Sequence, residues 1–506
     1  MRIQRDFLWF LLIFFISLTL SGTLLQANFP PYGMHQGAQA DRASIALNYF
    51  QESMNFFLPR VMENRASDGI CGLEFPLIPY ISALLYKVFG FHDALYRIII
   101  LVLWFFGQFA AWKISAYTIP KLLHRSFFHL LWTSSPLLFF YSFNFLPDIP
   151  ALSFTLIAWY FFVEYQNGKL IQRNFHLFLL FSALSGLLKV TFLVNFIAAI
   201  IITWKTLKLN QKIKLLIPVL LVGCWYSYSS YLTKTTYNQH FLQQINPPKN
   251  IAELIENSRF AMDTWMDQIY PRNFLLLFAV VLLISAQQFN KNHIYLKISG
   301  LLFGGFLAVF LLFNRQFRFH DYYFIQVFPF FLFSLLYLYD THLKNKLVYT
   351  GFISILALIG LFVTPFYHFS HAKNILRRTL TPKDYYNQSY FSNTNEFQNI
   401  RAQLDSIDPS RKKEIIFAFD PTPNTGLYLL QRQGIRLAPD FDSSICKDIV
   451  NQKLKTDSNT LKLMVINDLY SLPADHFIHQ FIKSEGDQSG LRIYSLSSVA
   501  EKDILP

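Results

Sequence analysis

The sequence predicts a polytopic α-helical membrane protein with a soluble α/β domain at its C-terminal end. Three observations lead there. Only 15% of the 506 residues are charged and 53% are hydrophobic, whereas a soluble chain is about a quarter charged. Apolar runs of about 17–22 residues, long enough to cross a bilayer, recur along the first 365 positions. Beyond Pro365 the composition turns polar and mixed, which divides the chain into a membrane domain, 1–367, and a second domain, 368–506.

The net charge of +13 does not point to nucleic acid. Lys and Arg lie largely in short loops between apolar runs, where they orient the chain and meet anionic lipid. The three cysteines, Cys71, Cys224 and Cys446, lie far apart and give neither a metal-like spacing nor a disulfide framework.

The first apolar run, 7–24, follows Arg2 and Arg5 and reads as an uncleaved anchor with a cytoplasmic N-terminus. A first outer loop, 26–96, comes next. Its start, 28–39, is rich in Pro and Gly. Residues 42–53 read as an amphipathic helix with Ile45, Ala46, Tyr49 and Phe50 on one stripe, lying in the interface. Asp41 and Arg42 stand at its head. The run 77–89 is short for a span, is interrupted near its end by Lys87, and is closed by Gly90, which suits a helix C-cap; Asp93 suits the next N-cap.

Charge bias then sets the topology. With 77–89 kept on the outer surface, 98–119 runs inward to Lys121, His124 and Arg125, and 127–146 delivers Asp148 to the side of Asp41. The runs 149–165, 175–188 and 191–204 follow, placing Lys189 outside and Lys205, Lys208, Lys212 and Lys214 inside. Residues 215–231 lead out to a long loop, 232–272. The runs 274–286, 298–313, 324–339 and 347–365 complete about eleven spans, N-terminus in and C-terminal domain outside, in an inner or plasma membrane. In the tail, 414–419, 461–466 and 491–495 read as strands, and 426–433 and 475–483 as helices.

Asp41, Glu74 and Asp148 therefore fall at one membrane face. Each stands near a helix start, where an acid caps or meets the dipole. Ionisable groups grouped at one face are equally candidates for function. Lys189 lies in an apolar stretch, Gly186-Leu187-Leu188-Lys189. Arg315, Arg318 and His320 crowd one outward loop against the positive-inside trend, which an anionic lipid phosphate would explain. Contact with ordinary headgroups is the plainer account.

Several short stretches resemble the GT-C glycosyltransferases, and among them the family 39 group that includes protein O-mannosyltransferases and the lipid A aminoarabinose transferase. Leu73-Glu74-Phe75-Pro76 resembles that group's Glu-Lys-Pro or Pro-Pro start. Phe145-Leu146-Pro147-Asp148 resembles its hydrophobic-x-Asp element, and Gly186 to Lys189 a shortened form of its Gly-x-x-x-x-Lys stretch. His320-Asp321-Tyr322-Tyr323 resembles its His/Arg-x-Tyr-Tyr loop. The resemblance is spread over about 1–365. The group's first loop usually reads Asp-Glu, where this chain has Asp41-Arg42.

The resemblance implies a GT-C-like fold and transfer of a sugar from a polyprenyl-phosphate donor to a lipid, glycan or protein acceptor at the extracytoplasmic face. It implies Asp41 as the base, with Glu74 and Asp148 orienting substrate or sharing a divalent cation. Lys189, Arg318, His320 and Tyr322 would hold the donor phosphate. Two other classes fit a polytopic chain: a lipid or glycan transporter or flippase, and a non-catalytic envelope-assembly protein. A transporter would place ionisable groups near the bilayer midplane on an internal repeat, and the sequence contains no such repeat.

Overall fold

The computed structural model describes residues 2–64, 67–168, 171–236, 245–288, 293–344, 394–411, 414–418, 422–437, 444–449, 460–466 and 492–495. The chain clusters into two compact units. One comprises Met1–Ala27, Arg97–Tyr228 and Gln243–Arg377; the other comprises Asn28–Tyr96, Ser229–Leu242 and Arg378–Pro506.

The first unit is helical and integral to the membrane. Among the described residues of the chain, five helical segments are long and apolar enough to span: Gln4–Ser21, Asp93–Ser115, Leu209–Thr236, Ile294–Leu312 and Asp321–His342. A sixth arises if Ile251–Ile269 and Arg272–Gln287, bent by 91° against each other, count as one. The expected eleven drew also on shorter and broken elements. Residues 127–146 fall into two helices, Leu122–Thr133 and Pro136–Tyr141, because Pro136 has no N–H to continue the ladder. The expected span 347–365 lies outside the described residues. Exposed Leu216, Ile217, Val219, Leu220 and Leu221 give one helix the apolar surface that lipid requires.

Inside this unit, many buried polar side chains pair with one another or with backbone. Trp159 Nε1 donates to Asn195 Oδ1 at 3.0 Å, and Ser185 Oγ donates to the Ala151 carbonyl at 2.9 Å. Such pairing offsets the cost of burying a polar group away from water. Helices Asp148–Gln166 and Ile171–Leu188 pack as neighbours. They set Asp148 and Lys189 near their adjoining ends.

One correction concerns 232–272, expected as a loop. Ile251–Ile269 is a helix. Asn250 Oδ1 caps it by accepting from Glu253 N at 2.8 Å, while Glu253 Oε2 accepts from Lys249 N at 2.6 Å. That Asn-x-x-Glu start was readable in the sequence.

The second unit joins the loop expected to face outward, Asn28–Tyr96, to the tail. Four strands, β1 (Glu414–Ala418), β2 (Gly434–Leu437), β3 (Thr460–Ile466) and β4 (Arg492–Ser495), form a sheet in the order β2-β1-β3-β4. β1 runs parallel to β2 and β3, and β4 antiparallel to β3; Ile416 pairs with Ile435 and Met464. The strands expected near 414–419, 461–466 and 491–495 are present, with β2 in addition. The helix expected at 426–433 runs Thr425–Leu430; that expected at 475–483 lies outside the described residues.

The outer loop of this unit completes the sheet. Gly434 N donates to Met62 O at 3.1 Å, and Asn64 N donates to Gly434 O at 2.9 Å. This isolated bridge meets the β2 edge at Gly434. Helix Gln36–Gln51 packs on Leu77–Phe89 and on Thr425–Leu430. Ile45, Tyr49, Val61, Cys71, Leu73 and Ala83 form the core between them. Gly72 admits no side chain, since a Cβ would stand 1.9 Å from the Ser229 carbonyl oxygen.

Candidate functional site

In the second unit, Asp41, Arg42 and Glu74 come together. The helix carrying Asp41 begins at Gln36, not near Arg42. Asp41 is therefore an interior helical residue, and capping does not account for it. The early start is held by Gln39, whose Nε2 donates to Tyr32 O at 2.7 Å and Met34 O at 2.8 Å. Those bonds fold the preceding Pro-rich loop onto the helix.

Arg42 is the centre of this group. Its Nε donates to Glu74 Oε1 at 2.8 Å and its Nη2 to Glu74 Oε2 at 3.1 Å. This two-pronged pair is the strong form of arginine–carboxylate contact. Arg42 Nη1 lies farther from Asp41 Oδ2, at 3.8 Å. Asp41 also accepts from Asn424 Nδ2 at 2.8 Å. Asn424 Oδ1 in turn accepts from Glu63 N at 2.8 Å, so the one amide bridges loop and helix.

The Asp41 side chain is 15% exposed. Burial pushes its pKa up to about 6, against the opposing pull of Arg42, Asn424 and Arg436, with Glu74 adding to the rise. A carboxylate poised there can accept a proton near neutral pH. Among the described residues no three His, Cys, Asp or Glu side chains gather as they would to hold a metal ion.

In the first unit, Asp148 and Lys189 form an ion pair at 2.5 Å, with side chains 2% and 12% exposed. Asp148 opens its helix directly after Pro147, where the dipole favours an anion. Lys189 stands in extended conformation at the break after helix Ile171–Leu188. Its Nζ lies 4.6 Å from the Tyr322 ring centre and 4.2 Å from that of Tyr323, within cation–π reach. His320 stacks on Tyr322 at 5.1 Å. Tyr141 Oη donates to Asp321 Oδ1 at 2.5 Å, fixing the start of the segment that carries both tyrosines.

Arg318 stands apart from this cage. Its Nη1 donates to Glu256 Oε1 at 2.7 Å and to Asn257 Oδ1 at 3.1 Å. Arg315 likewise pairs with Glu253, at 2.5 and 3.0 Å. The two arginines expected to face outward thus meet acids of helix Ile251–Ile269. Reading the sequence missed Arg42, Asn424, Tyr141 and Asp321 as parts of these groups. Only Asp321, inside the His-Asp-Tyr-Tyr stretch, carried a local signal.

The fold is shared with solved structures of two membrane-bound proteins. ArnT from Cupriavidus metallidurans in the apo state matches with a TM-score of 0.57 at 10% identity, covering 91% of this chain and 93% of that one. The same protein bound to undecaprenyl phosphate matches at 0.56 with equal coverage. The archaeal oligosaccharyltransferase AglB from Archaeoglobus fulgidus, in complex with an inhibitory peptide and a dolichol-phosphate, matches at 0.51 and 11% identity, over 91% of this chain and 69% of that one. No family model and no curated protein matches the sequence.

Proposed function

We propose that this chain is a membrane glycosyltransferase that moves a sugar from a polyprenyl-phosphate donor to an acceptor at the extracytoplasmic face, with inversion. The observation that carries the reading is Asp41: a largely buried carboxylate with a pKa of about 6, held by an amide and not by a close ion pair. The donor class is suggested by the fold's likeness to ArnT bound to undecaprenyl phosphate and AglB bound to a dolichol-phosphate.

In this reading the acceptor hydroxyl gives its proton to Asp41 as its oxygen bonds to the sugar's anomeric carbon. The bond from that carbon to the phosphate oxygen breaks, and the lipid phosphate leaves with the electron pair. Lys189 stabilises that developing charge, with His320, Tyr322 and Arg318 supporting the phosphate. Glu74 fixes Arg42 beside the base, and Asp148 fixes Lys189. Displacement in one step needs no covalent enzyme intermediate.

The test is transfer by the purified full chain in lipid, using radiolabelled polyprenyl-phosphate sugars and a membrane extract as acceptor source. Donor-dependent label in a product, with release of polyprenyl phosphate and the opposite anomeric configuration, is expected. Vectorial movement of donor across sealed vesicles without product would overturn the reading in favour of a transporter.

A further inference from the structure

The second unit contains a cavity of about 500 Å³ away from the Asp41 group's own side chains, walled by the outer loop and two tail helices. That volume lies in the range of small-molecule sites, roughly 300–1,000 Å³. Phe29, Phe91, Phe397 and Tyr428 supply ring surface, and Asp93 and Arg401 supply charge. Arg401 belongs to helix Thr394–Ile407 and Tyr428 to Thr425–Leu430.

The charges there are unequally answered. Asp93 accepts from the Tyr428 hydroxyl. Asp405, the acid nearest Arg401 in sequence, receives both Nε (2.9 Å) and Nη2 (2.6 Å) of Arg411, and Nη2 of Arg432 at 2.9 Å. Among the described residues no hydrogen bond or ion pair engages Arg401. Burial, reinforced by Arg411 and partly offset by the more distant Asp405 and Asp93, holds its pKa below the usual arginine value. A guanidinium stripped of much of its water, with no anion within ion-pair distance among the described residues, favours an anionic ligand.

We propose that this cavity binds an anionic saccharide, its ring face against the aromatic side chains and its carboxylate or phosphate on Arg401. Aromatic faces alone would suit any apolar or neutral sugar face. The unpaired cation adds the requirement for charge, and the Tyr428–Asp93 pair offers hydrogen-bonding groups to ring hydroxyls. Asn424, which bonds Asp41, directly precedes the helix carrying Tyr428, so an occupant of the cavity touches the same short helix that steadies Asp41. The inference goes beyond the proposed transfer reaction, and its test uses neither donor nor turnover.

The experiment is ligand-observed NMR titration of the full chain in nanodiscs. The probes are glucuronate, glucose 6-phosphate, methyl glucoside and inorganic phosphate. At least one anionic sugar should bind ten-fold or more tighter than methyl glucoside and than phosphate alone; which one distinguishes a carboxylate from a phosphate ligand. Arg401→Gln should weaken it at least ten-fold. Gln398→Trp, at an exposed position on the cavity wall, should do the same by filling space, and stands in if Arg401→Gln fails to fold. Equal binding of methyl glucoside, binding of phosphate as tight as the sugar phosphate, or unchanged binding in folded variants would each overturn the proposal.

Discussion

Asp41 and Asp148 are both shielded acids with a basic side chain beside them, yet they are built differently. Asp148 is 2% exposed and touches Lys189 at 2.5 Å, with that lysine held in turn over two tyrosine rings. Asp41 is 15% exposed, and its nearest cation, Arg42, is 3.8 Å away because Glu74 has taken the guanidinium fork. A carboxylate in tight ionic contact is a counter-ion and holds its partner in place. A carboxylate given one amide bond and little water is a proton acceptor in waiting. On this difference rests the proposal of Asp41 as the base and of Asp148 as the residue that positions Lys189.

The strongest way to break that comparison is Asp41→Asn. An amide cannot accept the acceptor's proton, so the rate should fall by about 10²–10⁴. Stability should move the other way. The folded pKa of about 6 stands above the ordinary 3.8, so Asp41 favours the fold below pH 4, and that contribution is lost as pH rises through 6. Roughly two pKa units amount to ~3 kcal/mol, and the variant should be more stable by up to that at pH 7, read by thermal melts at pH 4 and 7. The wild-type rate should fall as pH drops below 6. A variant with undiminished turnover would move the base elsewhere.

Lys189→Met tests the other side. It strands Asp148 without its cation, and breaking a buried pair from one side costs about 3–5 kcal/mol. Donor affinity should drop together with rate, because a phosphate partner acts in the ground state as well. Wild-type melting and donor binding would show the pair to be incidental.

Asn424→Ala is milder and probes what holds Asp41. It removes the bond to Asp41 and leaves the Glu63 N–H without its acceptor, a loss of ~1–3 kcal/mol. The amide bond opposes the rise in the Asp41 pKa, so its removal should shift the acid limb of the rate profile to higher pH. An unmoved limb would separate Asp41 from the pH dependence.

How much of this was legible follows from how local each feature is. Helix Leu77–Phe89 has the bounds expected of it, because Pro76 and Gly90 punctuate the chain and Gly90 takes φ 80°. Strand β1 is apolar from Ile415 to Ala418, and β3 is interrupted only by Lys462 between Leu461 and Ile466. Strand β2, Gly-Ile-Arg-Leu, is four residues with an arginine, too short to show alternation. The start of Gln36–Gln51 was hidden by the Pro- and Gly-rich stretch before it, whose carbonyls are met by Gln39. Asn424 lies 383 residues from Asp41, a separation no local pattern spans. Arg42 looked like a departure from Asp-Glu, and its meaning emerged only once Glu74 was found on it. The resemblance read from Glu74, Asp148, Lys189 and the His320 loop pointed to a fold that this chain shares with the solved ArnT and AglB structures.

The smallest effect is expected at Arg318, and it sharpens the contrast between a caged cation and a neutralised one. Arg318 is 30% exposed and bonded to Glu256, itself 65% exposed. An exposed pair of this kind contributes about 0–1 kcal/mol, so Arg318→Gln should leave the melting temperature nearly unchanged. A phosphate reaching Arg318 must compete with Glu256, and the net gain from its charge is correspondingly small. Donor affinity should therefore weaken by only a few-fold, against a much larger loss in Lys189→Met. Glu256→Gln should do the opposite and tighten donor binding slightly, by releasing the guanidinium. If Arg318→Gln instead cost as much affinity as Lys189→Met, Arg318 would abandon Glu256 for the donor, and the phosphate would be held by both cations equally. Donor titrations of the three variants in the same lipid, at two salt concentrations, decide between these, since an exposed contact is screened by salt and a buried one is not.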